Sequence, residues 1–290
     1  MNKKMIKGCK RIKKKEFELL SRISPRHATE VLYKRTFGRE INLEHPRYFS
    51  EKLHYLKLNN YYNNPLITAC IDKYTVKSYM SCVGKGELCA KLYGVYDKPS
   101  EIEWEKLPNQ FIVKCTHGCG YNIVCHNKQK FNVPTAEKKL MKWMKDDYWV
   151  KYAETQYRFV RKRIIVEEYL GDNLVTYRFC CFHGEPKIIY VQPDEEGKNY
   201  IDYFDVNWKK LDYRWAGWRS APVPPSRPKM LCEMQKIAGE LSKGFPFVRI
   251  DLYETCDHIY FSEFTFVPAG GIMRFEKKRT ARLLGSWIDI

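Results

Sequence analysis

The sequence predicts a mixed α+β protein, and three features of the chain support this class. Apolar residues recur every three or four positions in segments such as 134–145 and 230–241, which is the period of a helix. Elsewhere apolar and polar residues alternate, as in 248–253 and 259–266, which is the period of a strand. The 290 residues are enough to bury a large core, in one domain or in two to three small lobes.

The predicted helices and strands are short and follow one another along the chain. Helices are expected at 16–35, at 51–59 with Ser50 as the N-cap, at 72–80 with Asp72 as the N-cap, at 134–145 and at 230–241. Extended segments are expected at 87–96, 111–114, 163–170, 174–182 and 186–191, and a connector at 99–107. Pro134 in a first turn and Gly244 just beyond a last turn favour these helix limits.

The segment 193–228 is a long, irregular excursion rich in aromatic residues and proline. Its aromatic residues are Tyr200, Tyr203, Phe204, Trp208, Tyr213, Trp215 and Trp218. Loops of this length are usually functional or disordered, and so many rings argue against disorder. Two interpretations stay open: the rings pack the excursion onto the core, or they stack on the faces of sugars.

The composition restricts the class of protein and its compartment. The mean hydropathy is −0.54 and no apolar run approaches the ~20 residues that span a bilayer, so an integral membrane protein is not expected. The N-terminal region has a basic flank but no apolar stretch typical of an export signal. The eleven cysteines are odd in number and scattered, which predicts free thiols and a cytoplasmic location.

The formal net charge is +17, and part of it comes from the lysines and the arginine between residues 3 and 15. Such a cluster is typical of a solvated tail, or of a tether to nucleic acid or to the anionic inner face of the cytoplasmic membrane. No nucleic-acid-binding motif accompanies it, so no nucleic-acid partner is expected. An acidic glycan or a lipid phosphate explains the charge equally well.

The stretch 247–266 carries the pattern that most restricts the chemistry. If it forms a β-hairpin with an odd-length loop around Cys256, or with a bulge, one face carries Arg249, Asp251, Glu263 and Thr265. The other face is apolar and consists of Ile250, Leu252, Tyr260, Phe264 and Phe266. Two carboxylates beside an arginine suit Mg²⁺ that bridges phosphate oxygens, because this ion takes few protein ligands. The alternative is an edge hairpin whose charges face water.

A second segment, 111–124, combines a strand that ends in Lys114 with a turn that contains Gly118 and Gly120. Glycines let the backbone approach phosphate oxygens closely, so this segment is a candidate flap over a nucleotide. It is not a Walker A loop, and an ordinary glycine hairpin is the alternative. The segment also contains Cys115, His117, Cys119, Cys125 and His126. A zinc site is disfavoured, because structural zinc sites usually take two close pairs of ligands separated by a longer loop, and the sequence has no second pair. A nucleophile pair of Cys119 and His117 is equally unsupported.

A third segment, 163–172, is an apolar strand that ends in adjacent carboxylates and a Gly-Asp turn. The backbone at Tyr169 and Leu170 can meet an adenine ring, and a carboxylate of Glu167 or Glu168 can reach the ribose hydroxyls. Alone the pattern is common, and it gains weight from its order in the chain.

In this order, the lysine strand with its glycine flap, the Glu-Glu-Tyr-Leu strand end, Arg178, Arg-x-Asp and Glu-x-Thr resemble an ATP-grasp enzyme. More specifically, the chain resembles the TupA-like ATP-grasp family, which is associated with bacterial surface-polysaccharide and teichuronopeptide synthesis. Further stretches that resemble this family are 46–57, 71–74, 107–111, 117–122 and 247–253, and the resemblance extends from about residue 30 to the end.

The resemblance implies an ATP-grasp fold in which two α+β lobes clasp ATP. Residues 1–70 would form a basic tail and a helical N-terminal extension. Residues 71–165 would form the central lobe with the glycine flap, and 166–290 the C-terminal lobe with the metal site.

The resemblance also implies a role for each matching residue. Nucleotide binding would involve Lys73 and Lys114 at the phosphates, the flap residues His117, Gly118, Cys119 and Gly120, and Glu167, Glu168, Tyr169 and Leu170 around adenosine. The catalytic basic residues would be Arg178, Lys187 and Arg249, of which Arg249 stabilises charge on the transferring phosphoryl group. Asp251 and Glu263 would hold Mg²⁺, with Thr265 where many ATP-grasp enzymes have Asn.

The implied activity is carboxylate–amine ligation. ATP would phosphorylate a carboxylate to an acyl phosphate, and an amine would then form an amide with release of ADP and phosphate. The expected partners are an acidic polysaccharide or a uronate-containing precursor, and an amino acid or another amine donor. The alternatives are a sugar kinase, a glycosyltransferase, which the absence of Asp-x-Asp disfavours, and a non-catalytic polysaccharide or nucleic-acid binder.

Overall fold

The computed structural model describes residues 14–172, 174–195, 198–255 and 258–290. Most of the N-terminal basic cluster and the predicted loop residue Cys256 lie outside these ranges. Across the described residues the fold consists of two larger antiparallel sheets, a small two-stranded ribbon and eight α-helices. The predicted α+β class is therefore confirmed.

The structural elements are numbered in chain order. The α-helices are α1 Lys14–Ile23, α2 Pro25–Phe37, α3 Phe49–Leu58, α4 Pro65–Ile71, α5 Thr75–Cys82, α6 Val133–Lys145, α7 Leu231–Ser242 and α8 Lys278–Ser286. The strands are β1 Leu92–Tyr96, β2 Phe111–Cys115, β3 Asn122–Cys125, β4 Ile164–Glu168, β5 Thr176–Phe182, β6 Glu185–Val191, β7 Asp194–Glu195, β8 Lys198–Asn199, β9 Asp202–Phe204, β10 Lys210–Leu211, β11 Phe247–Glu254 and β12 Ile259–Thr265. Helices α4 and α8 have no counterpart among the predicted elements.

The predicted helix 16–35 is two helices, α1 and α2. Pro25 lacks an N–H group and suits the first position of a helix, so it begins α2 instead of continuing α1. The Ser24 side chain caps α2 by accepting a hydrogen bond from the backbone N–H of His27. The prediction merged the two because apolar residues continue at helical spacing across the break.

Two predicted N-caps lie in different places. The N-cap of α3 is Tyr48, not Ser50, because the Glu51 carboxylate accepts the backbone N–H of Tyr48 at 3.1 Å. Asp72 precedes α5 by three residues, and its carboxylate accepts the backbone N–H of Tyr74 at 2.8 Å. Asp72 therefore stabilises the turn before α5, and the N-cap of this helix is Tyr74.

The smaller sheet has four strands in the order β1-β4-β2-β3. One of its faces is apolar and forms a core with α6 that includes Phe111, Val113, Val166 and Leu140. The predicted boundary between residues 165 and 166 falls inside β4, which pairs with β2 as far as Glu168. The smaller sheet therefore continues past this predicted boundary, as far as Glu168.

The larger sheet has six strands in the order β10-β9-β6-β5-β11-β12. Strand β11 is an interior strand that pairs with β5 on one side and β12 on the other. Its apolar residues Val248, Ile250 and Leu252 are at most marginally accessible, and α7 packs over this part of the sheet. The largest hydrophobic core of the described residues lies here.

The pairing of β11 with β12 decides which side chains share a face. Asp251 lies directly opposite Glu263, and Arg249 lies directly opposite Thr265. A register shift follows Asp251, so that the strand pairing requires a bulge near Ser262. The predicted shared face of the two carboxylates is therefore confirmed.

The same bulge corrects one residue of the predicted apolar face. Beyond the shift, Leu252 pairs with Phe261 and Tyr253 pairs with Tyr260. Phe261 is buried at 6% exposure, whereas Tyr260 is only partly buried. The placement of Tyr260 in the core was wrong because the extra residue exchanges the faces of the strand.

The aromatic excursion 193–228 packs onto the larger core. Tyr203 and Phe204 are buried, and Trp208, Trp215 and Trp218 are partly buried. The rings stack in pairs, with centroids 4.1 Å apart for Phe204 and Trp208 and 4.8 Å apart for Trp215 and Trp218. Packing thus accounts for these rings, as one of the two open interpretations expected.

The cysteines in the described ranges are all free thiols. Cys9 and Cys256 lie outside those ranges. Among the helices of the described residues, none has the length and apolar character that a bilayer crossing requires.

Gly285 of α8 is where this helix touches the start of α3, backbone against backbone. A Cβ atom on Gly285 would lie 2.3 Å from the Arg47 carbonyl oxygen and 2.9 Å from the Phe49 nitrogen. We expect Gly285→Ala to lower the free energy of unfolding by about 1–3 kcal/mol, since overpacking here requires a backbone shift. Thermal and urea unfolding measure this effect.

Gly239→Ala in α7 is the matched control. A Cβ atom there meets its neighbours at 3.4 Å or more, which is ordinary contact. Alanine also favours the helix by roughly 0.5–1 kcal/mol over glycine. Equal losses of stability in the two variants would contradict the proposed role of Gly285 in the contact between α8 and α3.

Candidate active site

A cleft of about 640 Å³ is lined by residues of both larger sheets and of α5. The smaller sheet contributes Ile112, Lys114 and Glu167, and the larger sheet contributes Arg178, Asp251, Tyr253 and Glu263. These side chains come from the polar face of each sheet, opposite to the face that packs the core. The two polar patterns that the sequence placed far apart thus meet across one cleft.

Arg249 organises the two carboxylates of β11 and β12. Its Nε and Nη2 atoms donate to the two Asp251 oxygens at 2.6 Å each, and Nη2 also donates to Glu263 Oε1 at 3.1 Å. Nη1 donates to the Tyr190 hydroxyl at 2.8 Å. Thr265 donates its hydroxyl to the same Glu263 oxygen at 3.1 Å. Arg249 is itself buried and does not line the cleft, so it acts on the cleft through these carboxylates.

The electrostatics of the pair follow from burial and from Arg249. Burial raises the pKa of Asp251, and the opposing charge of Arg249 does not fully compensate. For Glu263 burial also raises the pKa, but the charges of Arg249 and Lys73 outweigh it and hold that pKa below its usual range. Glu263 is therefore an anion that points into the cleft at neutral pH.

The carboxylate pair has the character of a partial site for a hard cation. No group of three or more His, Cys, Asp or Glu side chains suited to a metal ion occurs in the described residues. Two carboxylate side chains with a neighbouring hydroxyl suit Mg²⁺, because this ion keeps water and substrate phosphate oxygens in most of its coordination shell.

The two other basic residues predicted for catalysis lie in different places. Arg178 on β5 lines the cleft, and its Nε lies 3.7 Å from Asp251 Oδ2. Lys187 lies at a bulge between β5 and β6, with its Nζ 3.6 Å from Glu185 and 5.3 Å from the ring centroid of Trp287. The structure therefore does not bring Lys187 to the cleft, because it lies near the Glu185 end of β6, whereas the cleft residue Arg178 pairs with Tyr190 at the other end of that strand.

Glu167 is held between two lysines on the opposite wall. Its carboxylate lies 2.7 Å from the Lys114 ammonium and 2.6 Å from the Lys77 ammonium. Burial raises the pKa of Glu167, but the charges of Lys114 and Lys77 outweigh it and lower the pKa below its usual range. The arrangement keeps two cations fixed at the wall of the cleft with one carboxylate between them.

Lys73 joins the cleft to the glycine flap. Its ammonium donates to the Gly118 carbonyl at 2.6 Å, and burial lowers its pKa. Gly120 has a φ of +75°, which glycine adopts without strain, and no atom lies near a would-be Cβ. Cys119 and Gly120 are exposed and line the cleft, as the predicted flap requires.

Two of the four predicted flap residues face away from the cleft. Gly118 is packed tightly, since a Cβ there would lie 2.6 Å from the Tyr148 ring. His117 is buried at 3% exposure and donates from Nε2 to the Trp143 carbonyl at 3.0 Å. Burial lowers the pKa of His117 to about 4, so the ring is neutral. The sequence could not show this, because the turn sends His117 toward α6 instead of toward a ligand.

The end of β4 forms the other end of the cleft. Glu168, Tyr169 and Leu170 line it together with Gly171 and Leu174. Tyr169 donates its hydroxyl to Asp172. A wall that includes Tyr169, Leu170 and Leu174 is suited to a flat heterocycle, as predicted for this segment.

A match to a known family covers every residue that lines the cleft. A family model described as TupA-like ATPgrasp matches residues 51–289. The chain belongs to the TupA-like ATP-grasp family. Its two antiparallel sheets around one cleft are the ATP-grasp fold that the resemblance implied.

Three solved structures are similar to this TupA-like chain at low sequence identity. The D-alanine–D-alanine ligase of Helicobacter pylori has 15% identity and a TM-score of 0.45, over 83% of this chain and 69% of that one. An L-amino acid ligase of Bacillus licheniformis has 14% identity and a TM-score of 0.49, over 85% and 56%. The ATP complex of the Bacillus anthracis D-alanine–D-alanine ligase has 14% identity and a TM-score of 0.43, over 69% and 56%. No curated protein matches the sequence.

Among the cleft-lining residues of this TupA-like protein that sequence reasoning missed are Lys77, Tyr157 and Tyr253. Lys77 extends from α5, Tyr157 follows the segment after α6, and Tyr253 lies on β11 beyond Asp251. The period-2 alternation of β11 was a usable signal for Tyr253. Lys77 and Tyr157 reach the cleft only through tertiary packing, for which the sequence gives no local signal.

Proposed function

We propose that this TupA-like ATP-grasp protein is an ATP-dependent carboxylate–amine ligase. The observation that supports it best is the opposition, across one cleft, of the Glu263–Asp251 pair and the Lys114–Glu167–Lys77 group. The carboxylates on one side can bind a divalent cation, and the lysines on the other side can bind phosphate oxygens. A nucleoside triphosphate with its divalent cation would match both sides.

The proposed roles follow from position. Lys114 and Lys73 contact nucleotide phosphates, the Cys119–Gly120 part of the flap covers them, and the segment after Glu167 holds the adenosine. Arg178 lies beside Asp251 and stabilises the charge that develops on the transferring phosphoryl group. Arg249 orients both carboxylates, and its charge favours their ionised forms. His117 and Lys187 have no part in this assignment.

Asp251, Glu263 and the Thr265 hydroxyl would hold Mg²⁺. When bound, this ion neutralises phosphate charge and orients the β- and γ-phosphates. The chain itself excludes water with the flap and presents fixed dipoles and charges to the reacting groups.

The proposed carboxylate substrate is an acidic polysaccharide or its uronate-containing precursor, and the amine is an amino acid or a related donor. The net charge of +17 supports a polyanionic partner, because an excess of lysine and arginine attracts carboxylate-rich chains at long range. A cytoplasmic location, with contact of residues 3–15 to the anionic inner membrane face, is proposed as well.

The proposal is tested first by ligand stabilisation. We expect ATP with MgCl₂ to raise the unfolding midpoint, since a ligand at about 100 times its Kd stabilises the folded state by about 2.7 kcal/mol. A panel of nucleotide sugars at the same concentration should leave the midpoint unchanged. Stabilisation by a nucleotide sugar and not by ATP would reject the ligase in favour of a glycosyltransferase.

Product analysis then separates the ligase from the kinase. With oligogalacturonate, a mixture of amino acids and ATP, we expect ADP release to require both the carboxylate and the amine. An amide product confirms ligation. A phosphorylated sugar formed without an amine would instead assign the kinase reaction to the same cleft.

A further inference from the structure

Two aromatic rings and an arginine form an exposed patch outside the nucleotide site. Tyr62 precedes α4 and is 40% exposed, and Phe159 ends the 3₁₀ turn Thr155–Phe159 and is 43% exposed. Their ring centroids are 5.7 Å apart, with the ring planes inclined at 60°. The exposed side chain of Arg158 contacts both residues. Single exposed rings are common, whereas rings clustered with a cation indicate a binding surface. We refer to Tyr62, Arg158 and Phe159 as the ring–arginine patch.

Arg158 is oriented by neighbours that leave its charge uncompensated. Its guanidinium carbon lies 5.1 Å from the centroid of the Trp149 ring and 5.9 Å from the centroid of the Phe159 ring. Its Nη1 atom donates to the Tyr62 hydroxyl at 3.5 Å. Within the described residues, no carboxylate lies 4.0 Å or less from its guanidinium nitrogens. A planar guanidinium that is oriented by rings and has no anion beside it is suited to bind a carboxylate with two parallel hydrogen bonds.

The patch is continuous with one wall of the cleft. The turn that ends in Phe159 also carries Tyr157, which lines the cleft. Helix α4 packs against this turn, and its last residues, Cys70 and Ile71, line the cleft as well. Tyr62 lies just before the other end of α4, and the 7 residues of this helix span roughly 10 Å. A chain-like ligand that occupies the cleft is therefore long enough to reach the patch.

The chemistry of the patch matches an acidic sugar. A pyranose ring presents C–H groups on its face, and the electron-rich face of an aromatic ring attracts such groups. A uronate also carries a carboxylate beside its ring, which is the partner that Arg158 lacks. An apolar peptide would use the rings without the guanidinium, and a small anion would use the guanidinium without the rings. The combination of the two favours a uronate unit over either of these.

We propose that the ring–arginine patch is a subsite for a uronate unit of the carboxylate substrate, outside the cleft in which the reacting carboxylate is activated. This inference rests on the proposed ligase function. Sugar units of one chain extend from the cleft, along the wall that contains Tyr157, to the patch. The subsite selects a long substrate, because a single uronate cannot occupy the cleft and the patch at once.

Direct binding is the first test, because it does not depend on turnover. The full-length protein and its variants are titrated calorimetrically with a long oligogalacturonate. We expect Phe159→Ala to weaken binding by about 3–10-fold, the scale of one lost ring contact. We expect Arg158→Gln to weaken binding by about 10-fold, the scale of one lost charge-assisted hydrogen bond.

Two control variants accompany this titration. Phe159→Tyr keeps an aromatic ring and should bind the oligomer within about twofold of the unchanged protein, since the ring contact remains. Arg282→Gln removes the same unit of charge from an exposed position on α8 outside the cleft lining, and should bind as the unchanged protein does. Thermal unfolding midpoints equal to that of the unchanged protein show that the variants are folded.

A poly-glutamate of similar length separates an acidic sugar from an acidic peptide. Losses of poly-glutamate binding as large as those of oligogalacturonate binding would reject the sugar and assign the patch to an acidic peptide. Unchanged oligogalacturonate binding in both Phe159→Ala and Arg158→Gln would overturn the subsite. The absence of oligogalacturonate binding to the unchanged protein would overturn it as well.

The kinetics of ADP formation then distinguish this inference from the ligase function on which it rests. With ATP, MgCl₂ and a mixture of amino acids, we expect Phe159→Ala to raise the KM for long oligogalacturonate by about 3–10-fold and to leave kcat unchanged. The KM for monomeric galacturonate should not change, because the monomer does not reach the patch. Turnover of the oligomer alone would agree with the subsite.

The contradicting kinetic results differ for the two ideas. An equal rise in KM for the monomer and the oligomer would place the effect in the cleft and overturn the subsite. If the unchanged protein formed no ADP with any uronate, the ligase function would be rejected. The losses of oligogalacturonate binding in Phe159→Ala and Arg158→Gln would in that case still identify the patch as a uronate site.

Discussion

Glu263→Gln is expected to lower ADP formation by about 10²–10³-fold while the protein stays folded. The substitution keeps the shape of the side chain, and the hydrogen bonds from Arg249 and Thr265 stay in reach. It removes one of the two carboxylate charges that would hold Mg²⁺. Losses of this size are typical when one oriented electrostatic contact is removed from a reacting site. The rate of ADP formation, measured against MgCl₂ concentration, should show a higher Mg²⁺ requirement.

Glu276→Gln is the control for this variant, because Glu276 is an exposed acid of the same lobe and lies outside the cleft lining. Its Mg²⁺ dependence should equal that of the unchanged protein. If Glu263→Gln required no more Mg²⁺ than this control, the assignment of Glu263 to the cation would be rejected. Binding of ATP without Mg²⁺ should be similar in both variants, which separates cation binding from nucleotide binding.

Lys114→Met is expected to weaken ATP binding by about 10–100-fold, the equivalent of one lost charge-assisted hydrogen bond. The lysine lies on β2 and its ammonium is fixed by Glu167 at 2.7 Å, so it is already oriented before the nucleotide arrives. Isothermal titration with ATP measures the effect. Lys130→Met removes the same unit of charge from an exposed position and should leave the Kd unchanged.

We also expect Lys114→Met to change the stability of the folded protein at acid pH, in a direction that the pKa of Glu167 determines. The folded-state pKa of Glu167 is depressed, so this residue stabilises the fold above its unfolded-state pKa and loses that contribution as the pH falls through the folded value. Without Lys114 the folded pKa rises toward its ordinary range. The acid-side loss of stability should then begin at higher pH than in the unchanged protein, and an identical acid transition would contradict the described pairing.

The parts of the site that lie on regular strands were predictable. Alternation placed Asp251 and Glu263 on one face, and the order of the motifs placed Lys114 and Glu167 in the same site. Both predictions succeed because a strand has a fixed period and a pair of adjacent strands has a defined register. The α+β class followed from the same regularities, whereas the ATP-grasp fold followed from the resemblance of the motifs to a known family.

The parts that failed depend on irregular backbone or on long-range packing. Tyr260 and Lys187 both lie at or beyond bulges, where one extra residue reverses the face of a side chain. His117 follows a turn whose direction is set by α6. Lys77 and Tyr157 are far apart in the chain and come to the same cleft only in the folded protein. Sequence patterns describe neighbours within an element, and these residues take their roles from neighbours outside it.

The hydrogen bond from Lys73 to the Gly118 carbonyl also determines how the flap can move. Lys73 lies between α4 and α5 and is not part of the sheet that carries the flap, so this bond links two separate pieces of backbone. The flap cannot swing outward until that bond breaks, and a phosphate oxygen that attracts the Lys73 ammonium competes for the same donor. In the proposed function, binding of the nucleotide phosphates would therefore weaken the bond that holds the loop. The rate of loop opening should depend on nucleotide occupancy and not on temperature alone.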